Sequence, residues 1–192
     1  MRTLLYRHVP PEQTAKVARG HAIVFGINPG AGGRGSAPAW LNKCAELTHG
    51  ICETFTLAEL IEESSHDLRA FSDGALDELV RANAAGNLAL IAKQKPCVIF
   101  QAGLHCERVA REAYGLSGPG YRVARPQGSG ALLIPYRLGA TPWIMMKHLS
   151  SKGYGHADGR AANEFAWKIL HPVKAGAEGA LSPSAYGRLP SA

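Results

Sequence analysis

One stretch limits the possible folds more than any other. His21 to Ile27 (HAIVFGI) is an unbroken apolar run that passes directly into the glycine-rich turn NPGAGGRG, and a helix-like segment follows. A strand that is apolar throughout has to be buried, and a strand followed by a turn and a helix is the repeating unit of a parallel sheet covered by helices. The alternation recurs downstream. Ile51 to Leu57 (ICETFTL) and the segment CVIFQAG after Pro96 read as further strands, with Tyr121 to Arg125, Ala131 to Leu138 and Trp143 to His148 as shorter ones. Helices are predicted from Ser36, with Ser36 as N-cap and Trp40, Leu41, Cys44 and Leu47 on one face, and from Asp73 as N-cap, with Gly86 and Asn87 as candidate breaks. Two more are predicted over Leu104 to Tyr114 and over Arg160 to Leu170, where His171-Pro172 ends the helix. The fold expected is α/β: three layers, α/β/α, around a central, mostly parallel twisted sheet.

With 192 residues, 46% of them hydrophobic, the chain can build one full core. We expect a single domain over 1–174 and a tail rich in Gly, Ala, Ser and Pro over 175–192. No apolar run approaches the roughly 20 residues that span a bilayer. Nor do Met1 to Pro10 resemble a secretory signal. The expectation is a soluble, cytoplasmic monomer with no membrane partner.

Cys44, Cys52, Cys97 and Cys106 form no C-x-x-C pair and fall in apolar or helical contexts, so they read as buried thiols in a reducing compartment. Neither they nor the eight histidines show metal-ligand spacing, so no metal is expected. His105 and Cys106 are neighbours that diverge on a helix, which argues against a catalytic Cys/His pair. Trp40, Trp143 and Trp167 fall at apolar positions, where core packing is the default. Glu59, Glu62, Glu63 and Asp67 form an acidic run that reads as a solvated helix face.

The net charge of +6 is unevenly placed. Residues 1–120 carry twelve Lys and Arg against twelve Asp and Glu, whereas 121–174 carry Arg122, Arg125, Arg137, Lys147, Lys152, Arg160, Lys168 and Lys174 against Asp158 and Glu164. A basic third of the chain is either a polyanion-binding surface or an ordinary solvated face.

In an open parallel sheet, function gathers where strands deliver their carboxyl ends. Two such ends stand out: Gly26-Ile27-Asn28-Pro29-Gly30 after the first strand, and His148-Leu149-Ser150-Ser151 after the last. Parallel strands would bring Asn28 and His148 to one pocket. The glycines Gly30, Gly32 and Gly35 also match G-x-G-x-x-G. Asn28-Pro29 intervene before them, however, and the second strand shows Glu53 near its start with no acid at its end to hold a ribose. A phosphate-binding P-loop would further need a lysine that this turn lacks.

The GINPG segment resembles the first motif of the uracil-DNA glycosylase superfamily, most closely that of its mismatch-specific thymine/uracil branch. His148-Leu149-Ser150 resembles the second motif, with Leu149 where the superfamily usually has proline. The resemblance implies that Asn28 holds the attacking water. It also implies that Gly26, Ile27, Pro29 and Gly30 shape the loop around an extruded base, that Gln101 reads that base, and that His148 donates to the departing pyrimidine. No Asp follows the first motif to act as a general base. Ser150, Ser151, Lys152 and Tyr154 would meet DNA, with Lys152 at phosphate and Tyr154 as a wedge in the vacated stack; the other reading of Tyr154 is a tyrosine packed on its own strand. The function implied is hydrolysis of the N-glycosidic bond of uracil or a related pyrimidine in DNA, with DNA as partner and no cofactor. A non-catalytic reader of modified or single-stranded DNA, and a small nucleotide-binding enzyme that uses the Gly30 to Gly35 turn, are the alternatives.

Overall fold

The computed structural model describes residues 4–7, 20–27, 37–63, 71–118, 120–127, 129–149 and 154–171. Among the described residues seven strands form one sheet: β1 (Leu4–Arg7), β2 (His21–Gly26), β3 (Thr54–Glu59), β4 (Val98–Ala102), β5 (Val123–Ala124), β6 (Ala131–Leu138) and β7 (Thr141–Met146), in the order β1-β3-β2-β4-β7-β6-β5. The inner four, β3, β2, β4 and β7, are mutually parallel. Antiparallel strands complete the two flanks, β1 beside β3 and β6 and β5 beyond β7. The chain is therefore an α/β protein with a mixed sheet whose centre is parallel. Among the described residues, no helix is long and apolar enough to cross a membrane.

Four α-helices among the described residues cover the sheet: α1 (Ala37–Thr48), α2 (Asp73–Gln94), α3 (Glu107–Ala113) and α4 (His156–Leu170). Strand alternation sorts the core onto two faces. Ala22, Val24, Phe55, Leu57, Val98 and Phe100 pack with Cys44 and Leu47 of α1 and with Ala162, Phe165 and Ala166 of α4. Ile23, Phe25, Ile99 and Trp143 pack with Leu76, Val80 and Ile91 of α2 and with Val109 and Ala110 of α3. Because β2 is clamped from both sides, Ala22 to Phe25 have no exposed surface, and this accounts for its unbroken apolar run.

Several sequence expectations shift. The second parallel strand begins at Thr54, not Ile51, and runs on to Glu59, which removes Glu59 from any helix face. Ser72, not Asp73, caps α2, its hydroxyl accepting from the Ala75 amide at 3.3 Å. That helix continues through Gly86 and Asn87 without a break. Gly86 is on the solvent side, where its lack of a side chain disturbs nothing. Asn87 is buried and ties two layers together, its Nδ2 donating to the carbonyls of Glu59 (3.3 Å) and Leu60 (3.2 Å) and to the Tyr114 hydroxyl (2.8 Å). An expected helix break is thus a bolt between α2 and the end of β3. Asn87→Ala should lower unfolding stability by about 2 kcal/mol in a urea titration, since it strands buried acceptors and gains only about 0.5 kcal/mol of helix propensity. An unchanged midpoint would show that water takes over the amide's role.

All four cysteines are free thiols. The sulfurs of Cys52 and Cys97, at the amino ends of β3 and β4, lie 3.2 Å apart, a proximity that 45 residues of separation conceals. The expected tail, 175–192, lies outside the described residues.

Candidate functional site

The carboxyl ends of β3, β2, β4 and β7 open side by side at one sheet edge. From β2 the chain crosses to β3 on one side, and from β4 it proceeds to β7 on the other, so the strand order reverses between β2 and β4. A switch point is where an open parallel sheet places its ligand crevice. Gly26 and Ile27 reach it from β2 and Gly103 from β4, with Glu59 and His148 standing on its two flanks. Asn28, Pro29 and Gly30, and likewise Ser150, Ser151 and Lys152, lie outside the described residues. What can be placed is the strand end that leads into each motif, and both face the same edge.

His148 follows β7 by two residues and stacks on Trp40 in the first turn of α1, with ring centroids 5.2 Å apart. Trp40 is half-buried: it packs against the core of that sheet face, as expected, and also serves as the floor of an imidazole. Burial, then the neighbouring charges of His105 and Lys43, push the His148 imidazolium below its usual range, which leaves a neutral ring near pH 7. A neutral imidazole still carries one N–H donor.

Lys43, one turn beyond Trp40, donates to the Leu149 carbonyl at 2.5 Å, and its ammonium stands 5.6 Å from the centre of the Tyr154 ring. Lys43 so fixes both described ends of the loop between β7 and α4. Tyr154 packs against the α1/α4 core with its hydroxyl enclosed, so its ring is turned inward and is not presented as a wedge.

Two other predicted base contacts also face inward. The Ile27 side chain is buried on the α2/α3 face and fills the space above Gly103, where φ is +122° and a Cβ would collide with it. Only the main chain of Ile27 is left for the crevice. Gln101 has no exposed surface, and its Oε1 accepts from the Trp143 indole at 3.0 Å. Its Nε2 is enclosed without a hydrogen-bond partner among the described residues. The amide is therefore committed to the core face of β4, where Trp143 also stacks on Phe25 at 5.6 Å.

The residue the sequence reading missed is Glu59. It is the last residue of β3, paired in register with Gly26 of β2. Its carboxyl lies over the Gly26 backbone, where any Cβ would strike Oε2, so glycine at 26 is what makes room for it. Oε2 is buried with no hydrogen-bond partner among the described residues, and burial pushes the carboxyl up to about 7. Glu59 also raises the Cys44 thiol from across α1, on top of the thiol's own burial. The acidic cluster hid this residue: Glu62 and Glu63 are exposed as expected, whereas the strand carries Glu59 inward. The one available signal was strand alternation continued past Leu57.

The basic segment is less free than its composition implies. Arg125 forms a two-pronged ion pair with Asp158, Nε to Oδ1 at 3.1 Å and Nη2 to Oδ2 at 2.7 Å, and the same carboxylate accepts from the Gly155 amide at the start of α4. Arg122 pairs with Glu107 at 3.1 Å. Elsewhere, a groove of about 380 Å³ lies between α1 and α4, lined by Glu46, His49, His156, Arg160, Asn163 and Glu164, with no strand-end residue in its wall. No group of three or more His, Cys, Asp or Glu is placed to hold a metal among the described residues. The chain matches no protein-family model and no curated protein sequence.

Proposed function

We propose that the crevice at the carboxyl edge of the sheet receives a pyrimidine extruded from DNA and that the protein hydrolyses its N-glycosidic bond. The observation that carries this reading is the arrival of the GINPG strand and the His148 strand, parallel, at the same edge and on either side of a switch point. Scission of the bond leaves a cationic sugar and an anionic base. What accelerates it is a fixed donor where the anion forms and a water held where the cation forms. The neutral His148, braced by Trp40, supplies the first, and Asn28 orients the second through its amide oxygen. Extrusion costs a few kcal/mol, least at a mismatched pair. Phosphate contacts from the loop between β7 and α4 offset it, and Lys43 braces that loop from below.

The test is incubation with duplexes that carry one uracil, one thymine mismatch or one oxidised pyrimidine, followed by alkali. The expected result is strand scission at one of these positions. Intact strands on every substrate would end the glycosylase reading. A second reading, binding of a dinucleotide, draws on one particular observation: β3 does end in an acid, Glu59, beside the strand that precedes the glycine-rich turn. It predicts that a mononucleotide or dinucleotide raises the melting temperature and that DNA does not.

A further inference from the structure

We propose that Glu59 is the base that takes the proton from the attacking water. The inference rests on the glycosylase reading and deepens it, since GINPG supplies an amide at the water and an amide cannot accept a proton at neutral pH. Three observations converge on this carboxyl. It ends β3 at the sheet edge to which β2, β4 and β7 also deliver their ends. It lies directly over Gly26, two residues before Asn28, in space that exists because position 26 has no side chain. Its Oε2 accepts no hydrogen bond among the described residues, although the residue as a whole keeps partial exposure. A carboxyl placed for stability alone would be paired or solvated. Glu59 is neither.

The geometry fits displacement across a sugar. Glu59 and His148 leave strands three inter-strand steps apart, so their backbones stand roughly 14 Å from one another. The Glu59 carboxyl over Gly26 and the imidazole stacked on Trp40 bound that interval. A pyrimidine against His148 would put C1′ over the switch point between β2 and β4, and the face of C1′ opposite the base then looks toward Glu59, whose carboxyl lies over Gly26. In the step, the water oxygen bonds to C1′ while the C1′–N1 bond breaks. The bonding pair leaves with the pyrimidine, whose oxygen accepts from the His148 N–H, and the water proton passes to the Glu59 carboxylate. The products are a C1′ hydroxyl, a pyrimidine anion and a neutral Glu59, which returns its proton to the anion or to solvent. Cys44 of α1 faces the same carboxyl, and burial and the Glu59 charge keep its thiol protonated. From the α2 side the Asn87 amide donates to the main-chain carbonyl of Glu59.

The experiment is single-turnover cleavage of the preferred duplex by wild type, Glu59→Gln and Glu59→Asp, from about pH 5.5 to about pH 8.5. Wild type should accelerate with pH and level off above about 7. Glu59→Gln should be about 100-fold slower and should lose that rise, and Glu59→Asp should keep the rise at a reduced rate. Wild-type rates in Glu59→Gln, or an unchanged rise with pH, would overturn the assignment to Glu59 and leave the glycosylase reading in place. A wild-type protein that cleaves nothing overturns both. Circular dichroism and a thermal melt of Glu59→Gln keep the comparison to folded protein.

Discussion

His148→Ala should slow base release by about a hundredfold or more, with duplex binding nearly unchanged. A donor aimed at a developing anion in a water-poor site is worth about 3 to 4 kcal/mol of transition-state stabilisation, and the alanine variant removes it whole. Binding should survive, because affinity for DNA comes mainly from phosphate contacts, whereas the proposed function assigns this ring to the base. The imidazole suits the role for a reason visible in its surroundings. It is partly buried against Trp40 and held below its usual titration range, so under the proposed function it would meet the leaving base as a neutral donor. His148→Asn, which restores an N–H donor on a shorter arm, should recover part of the rate. Single-turnover rates and gel-shift affinities for both variants decide the matter. Equal losses of rate and binding would show that His148 is a binding residue, and an unchanged rate would remove it from the chemistry.

How much of this site could be read in advance depended on whether the signal was local. The β2 strand and its glycine turn were legible because complete burial leaves a continuous apolar run. The parallel delivery of β2 and β7 to one edge followed from the alternation of strands and helices. Side-chain direction was another matter. Gln101 sits on the expected strand, yet Trp143, 42 residues away, takes its carbonyl oxygen and holds it on the core face. Arg122 and Arg125 read as surplus charge because their partners, Glu107 and Asp158, lie 15 and 33 positions off. Asn87 read as a helix breaker because nothing local shows that two carbonyls of β3 and a tyrosine await its amide. Tertiary partners overrode local preference in each case. β1 escaped notice for a different reason: four residues added antiparallel at an edge leave almost no periodicity to detect.

Glu59 was the largest omission, and it also gives the second large effect, one that needs no substrate. Burial raises the folded-state carboxyl to about 7, whereas in the unfolded chain a glutamate titrates near its usual value of about 4.3. The folded protein therefore holds this proton more tightly than the unfolded chain does. The stability this contributes is complete below about pH 4, declines as pH rises through the interval between the two values, and is lost above about 7. Glutamine has no such proton to lose. The difference in unfolding free energy between Glu59→Gln and wild type should thus shift in favour of glutamine by on the order of 3 kcal/mol between pH 4 and pH 8.5. Urea titrations of both proteins across that range measure it directly, and every other titrating group cancels in the comparison. A flat difference would mean that solvent or a nearby cation compensates the carboxylate, which would also leave it a poor base near pH 7. If instead the variant becomes relatively more stable as pH rises, over the same interval in which the wild-type cleavage rate rises, one ionisation governs both. The carboxylate that weakens the fold is then the species that accepts the water proton, a trade of stability for reactivity.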